Sequence, residues 1–158
     1  VQKGASALRD DISSCMQEIL FHQSQKISLL NDMLCIERKI SALLKALDDI
    51  ENLIESENEI INKINLCDFN ISRVNDELKK RGLYLNSKVL QENSKEPFLL
   101  NYFSNIKKIK SLLEELSHIK ESNILEMEQI ACNYKNDADD LDKIDKIKKL
   151  ISKDLQFF

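Results

Sequence analysis

The chain is 158 residues long, 42% apolar and 32% charged, with a formal net charge of −4. That length is enough for one domain with a real core, and the mild acidity excludes a general nucleic-acid binder, which carries a basic face. With two glycines, one proline and two histidines, the usual phosphate-cradling loops are excluded, as are compact mixed folds whose tight turns draw on Gly and Pro.

Between Gly4 and Gly82 there is neither glycine nor proline, which predicts long helices. A single helix from Ala5 to Arg81 would reach about 115 Å, so a chain of this size is expected to turn back on itself. Leu8, Ile12, Cys15 and Ile19 begin an apolar stripe whose phase weakens at His22 and Lys26. From Leu29 to Ile71 the stripe becomes a heptad seam. Met33, Ile40, Leu47, Ile54 and Ile61 hold its a positions; Leu29, Ile36, Leu43, Ile50, Ile64 and Ile71 hold d. Glu57 and Asp68 interrupt the seam, and Leu30, Leu44, Leu53 and Ile60 widen it, as in a helix that touches two neighbours.

Two places invite a turn. Asp48 with Glu51 resembles a capping box, and Asn65 to Asn70 is rich in side chains that compete with helical hydrogen bonding. The heptad phase passes Asp48 intact, so both options stay open. Asp48 to Glu59 is an acidic run without Lys or Arg, whereas the last stretch carries Lys143, Lys146, Lys148, Lys149 and Lys153. Such runs are solvated faces, or they orient a partner helix by charge.

Lys79-Lys80-Arg81-Gly82 is a helix stop, with cations in the last turn before a glycine. Residues 82–97 read as a loop, with a short helical turn at Ser87 to Gln91. Pro97 suits the first position of the next helix, which carries Leu99, Phe103, Ile106, Ile109, Leu113, Leu116 and Ile119 and continues through Ile124, Met127 and Ile130 towards Tyr134. An acidic patch at Asn136 to Asp140 precedes a last helix with Leu141, Ile144, Ile147, Ile151 and Leu155, then Phe157-Phe158. The expected architecture is all-α, an elongated antiparallel helical bundle or long helical hairpin with coiled-coil-like packing. It forms a single helical domain over 1–158, with a long helical region at 5–81 and helices over 98–156.

Little of this points to chemistry. Glu115 and His118 form an E-x-x-H unit, but His22 follows Ile19 and no second pair completes a di-iron set. Asp137, Asp139, Asp140, Asp142 and Asp145 lack the glycine and glutamate offsets of a calcium loop. No Ser or Cys is placed with a His for nucleophilic work. No enzymatic activity, cofactor or metal is expected. Cys15, Cys35, Cys67 and Cys132 lack a C-x-x-C spacing and point to a reducing cytoplasm. No apolar stretch approaches the ~20 residues of a membrane span, and VQKGASALRDD lacks a signal-peptide core. Leu66, Phe69, Val74, Leu83, Tyr84 and Leu85, with Phe98 to Phe103, either pack helix ends together or form a groove for a partner's amphipathic helix.

The stretch LLNDMLCIERKISALLKALDDIENLIESENEIINKI, Leu29 to Ile64, resembles FlgN-type flagellar export chaperones, with Glu37 and Asp48 or Asp49 at that family's acidic positions. SLLEELSHIKESNILEMEQI, Ser111 to Ile130, resembles the family's later leucine-rich helix, with Asn123 at its Asn. The resemblance implies a non-enzymatic cytoplasmic chaperone of type III flagellar export. Such a protein binds the amphipathic C-terminal helices of hook-filament junction proteins (FlgK- and FlgL-like), keeps them soluble and delivers them to the export apparatus. Carried over by position, the client groove uses Ile54, Ile61, Ile64, Leu113, Leu116, Ile124 and Met127. The alternative is a coiled-coil scaffold subunit that oligomerises through the Leu29–Ile71 seam.

Overall fold

The computed structural model describes residues 2–44, 47–85, 97–133 and 138–155. They form four helices: α1 (Gln2–Ala42), α2 (Leu47–Lys80), α3 (Pro97–Asn133) and α4 (Ala138–Leu155). No strand occurs among the described residues. The first three helices run for 41, 34 and 37 residues, far beyond the usual ~11–12. That follows from the scarcity of breakers: Pro97 opens α3 and Gly82 follows α2. Gly4 lies inside α1, which starts at Gln2 rather than Ala5. The expected turn at Ser87 to Gln91, residues 134–137 and the terminal Phe157-Phe158 lie outside the described residues.

Of the two turn positions left open by the sequence, the first is used. The Leu43 N–H is shared between the Lys39 and Ile40 carbonyls, each at 3.0 Å, as in a closing last turn. The chain then re-enters a helix at Leu47. Asp49 therefore sits within the first turn of α2, where an acid meets the positive end of the helix dipole. At Asn65 to Asn70, by contrast, α2 is unbroken. Asp68 is drawn sideways instead, its Oδ1 accepting from Lys26 Nζ at 2.6 Å. The heptad seam thus lies on two helices folded back on each other, which decides between the two open options.

Gly82 ends α2 with φ of 82°. The Leu83 N–H reaches the Leu78 carbonyl at 3.0 Å and the Gly82 N–H reaches that of Lys79 at 2.9 Å, the paired bonds of a Schellman cap. Leu78 and Leu83 join the same apolar cluster, as that cap favours. A Cβ at Gly82 would meet nothing within 4 Å, so only backbone strain opposes a side chain there. Gly82→Ala is expected to cost about 1–2 kcal/mol, read as a lowered urea midpoint with an unchanged slope; equal midpoints would disprove the strain.

The chain divides into two compact units. The first comprises Val1–Leu29 and Lys63–Ile109, the second Leu30–Asn62 and Lys110–Phe158. In the first, Cys15, Met16 and Ile19 of α1 meet Val74 and Leu78 of α2, with Leu85 and Tyr102. Contacts of Glu18 with Arg73 and Gln25 with Cys67 show the two helices running antiparallel. In the second unit, Ile40 and Leu44 meet Ile50 and Ile54, Met127 of α3, and Ile144, Ile147 and Ile151 of α4. Lys146 reaches Glu51 at 3.7 Å and Lys148 reaches Glu128 at 3.3 Å, so α4 lies against both α2 and α3. Each large side chain fully buried this way contributes about 1.5–3 kcal/mol relative to exposure.

Candidate protein-binding site and a buried charge cluster

The residues expected to line a client groove divide by burial. Ile54 and Met127 belong to the second unit's core, and Ile64 and Leu116 are fully buried as well. Ile61, Leu113 and Ile124 are half-buried, Ile124 against that same core. A client could reach Ile54, Ile64, Leu116 or Met127 only by parting the helices, so these four serve the chain's own interior. An apolar stripe looks the same whether its partner is another protein or another helix of the same chain.

The exposed apolar side chains lie elsewhere. On α2, Leu66 and Phe69 are 60% and 65% exposed, and their spacing places them on one helix face. Beside them, Gln25, Ser28 and Leu29 of α1 and Lys63, Leu66, Cys67 and Asn70 of α2 line an open groove of about 320 Å³. That is at the lower end of small-molecule pockets, about 300–1,000 Å³, and its open form suits side chains of a protein ligand. Phe21, 58% exposed, precedes Gln25 by one helical turn on the same face of α1. The groove's chemistry is bland. Burial, and then the neighbouring Asp68, push the Cys67 thiol up, so Cys67 serves as a small apolar wall whose Sγ approaches Gln25 Oε1 at 4.0 Å. Lys63 is its one charged lining residue.

The second feature is a charge cluster sealed inside the second unit. Lys120 of α3 donates to Glu37 Oε1 of α1 and, at 2.9 Å, to Glu57 Oε2 of α2. All three side chains are fully buried. Asn123 Nδ2 donates to Glu37 Oε2 at 2.9 Å, and Ser41 Oγ donates to Asn123 Oδ1 at 2.7 Å. Burial raises the Glu57 carboxyl to about 9, with the adjacent Glu37 adding to the rise and Lys120 opposing it. Burial pulls Lys120 down, but its attraction to Glu57 and Glu37 wins and leaves the ammonium above its ordinary value. At neutral pH the cluster therefore holds a protonated Glu57 beside the Lys120 ammonium; an ionised carboxylate buried without its own cation would cost several kcal/mol.

The sequence pattern marks none of Glu37, Asn123 and Lys120 for burial. Two signals were present: Glu57 interrupts the heptad seam, and Lys120 falls one turn beyond Leu116 on an otherwise apolar stripe. Glu37 and Asn123, two of the positions that carry the export-chaperone resemblance, are hydrogen-bonded to each other. Elsewhere Glu115 pairs with Arg38 at 3.1 Å and both are exposed. Among the described residues no group of three or more His, Cys, Asp or Glu could hold a metal ion. Nor is any described helix long and apolar enough to cross a membrane. Set against family models, curated proteins and solved structures, the chain matches none.

Proposed function

We propose that this chain is a helix-binding chaperone of the flagellar export type, which holds the amphipathic C-terminal helix of a hook-filament junction protein until secretion. The observation that carries the reading is the pair Leu66 and Phe69, large apolar side chains standing in solvent beside the α1/α2 groove. Two antiparallel helices present a furrow into which a third can lay its apolar face, read out through anchors at helical spacing. The sequence patterns of Leu29–Ile64 and Ser111–Ile130 supply the client class. In this role the chain works in the cytoplasm and hands its client to the export apparatus.

The test is fluorescence anisotropy with a labelled synthetic peptide carrying the C-terminal helix of a hook-filament junction protein. The parent chain is expected to bind it, and Leu66→Asp to weaken binding at least tenfold, a loss of about 1.4 kcal/mol or more, with the circular dichroism spectrum unchanged. Absence of binding by the parent would refute the client class. Equal binding by parent and variant would refute the groove.

A further inference from the structure

The outward face of α2 in the first unit carries more than the border of the groove. Phe69, Ser72, Arg73 and Asp76 surround a second shallow depression of about 310 Å³. Their spacing, i, i+3, i+4 and i+7, is that of the four-residue hole that receives a knob in helix–helix packing. One turn before this hole stands Leu66, an exposed apolar knob. Knob and hole thus lie on the same face of the same helix, offset along it.

That offset has a geometric consequence. If a second α2 is laid antiparallel on the first, with the two-fold axis beside Phe69, Leu66 of each copy faces the Phe69–Asp76 hole of the other. In the same register Lys63 of each copy faces Asp76 of the other. Both are exposed, and neither has an ion-pair partner among the described residues. Arg73, held by Glu18 at 2.9 Å, forms a fixed wall of the hole, and its stem can cover the incoming leucine. A shallow crossing angle of about 20° keeps all these positions in contact.

We propose that the occupant of this face is a second copy of the chain, docked antiparallel through α2 into a two-fold dimer. Such an interface is isologous: each contact occurs twice. The apolar centre supplies affinity, while the reciprocal Lys63–Asp76 pairs fix register and direction, because exposed pairs contribute little affinity of their own. The contact from Lys63 to Asp76 spans about 20 Å of helix, so the dimer is a small, reversible one. It does not depend on the client assigned above. Since Leu66 also borders the α1/α2 groove, a docked copy and a client helix exclude each other.

Sedimentation equilibrium of the intact chain from about 1 µM to 1 mM, the range in which contacts of this size associate, tests the proposal without any client. The expected result is a monomer–dimer equilibrium that Leu66→Asp weakens at least tenfold. Lys63→Asp alone weakens it as well, and the double exchange Lys63→Asp with Asp76→Lys restores it to within about threefold. A chain that stays monomeric throughout would overturn the proposal, as would a dimer indifferent to Leu66→Asp. Failure of the double exchange to restore association would overturn the antiparallel register on which it rests. A dimer behaving as expected beside a peptide that does not bind would leave this inference standing and remove only the client.

Discussion

Lys120→Met is expected to lower the unfolding free energy by about 3–5 kcal/mol at pH 7. The substitution removes the ammonium that reaches both Glu37 and Glu57, at a place where all three side chains are fully buried. Methionine fills similar volume, so the loss reports charge rather than a cavity. One feature separates this account from simple mispacking. Adding Glu37→Gln to Lys120→Met should recover much of the stability at pH 7. Urea unfolding followed by circular dichroism gives both numbers. A single variant as stable as the parent at pH 7 would mean that the buried charges do not depend on Lys120.

The second large effect is a fall in stability with rising pH. Glu57 titrates near 4.5 in the unfolded chain and is raised to about 9 in the folded one. Between those values the folded state keeps a proton that the unfolded state releases. The unfolded state therefore binds fewer protons, and unfolding becomes easier as pH rises, by up to about 1.4 kcal/mol per pH unit. The stabilisation is complete below the unfolded value and lost as pH passes through the folded one. Lys120, itself raised, acts in the same direction: its contribution is full below its ordinary 10.5 and disappears above the folded value. Glu57→Gln, a neutral replacement for the protonated acid, should flatten the profile between pH 6 and 9. An unchanged slope in that variant would place the responsible proton elsewhere.

Much of the architecture is legible in the residues because it rests on local physics. Gly82 behind Lys79-Lys80-Arg81 announces its cap, and Pro97 announces a helix start, without reference to the rest of the molecule. The turn before Asp48 is harder. No glycine or proline marks it, and the heptad phase runs straight through the capping-box pattern of Asp48 and Glu51, so the back-folding of Ile40 and Leu44 onto Ile50 and Ile54 decides between the two candidate turns. The Glu37–Lys120–Glu57 cluster draws one member from each of three helices. Each residue alone resembles an ordinary solvated charge, and the only trace is its register among apolar neighbours. The exposed pair Leu66 and Phe69 is hidden for the opposite reason. In the sequence it reads either as helix-end packing or as a groove, while Ile54, Leu116 and Met127, placed in a client groove through the resemblance, are buried, because periodicity reports a stripe and not what covers it.

The division of the chain into two units has a consequence for dissecting it. The first unit takes its residues from 1–29 and 63–109, the second from 30–62 and 110–158, and each of the three crossovers falls inside a helix. Neither unit is therefore contiguous in sequence. A fragment ending after residue 109 keeps all of the first unit but only a hairpin of the second, deprived of Lys120, Met127 and α4. A fragment beginning at residue 30 keeps the second unit and drags along a first unit without its α1 segment. Cutting from either end yields one complete body attached to one orphaned remnant. A clean separation needs a different operation: ending the chain after residue 109, excising 30–62 and rejoining 29 to 63 through a short linker, which asks the first unit to fold on a rewired chain.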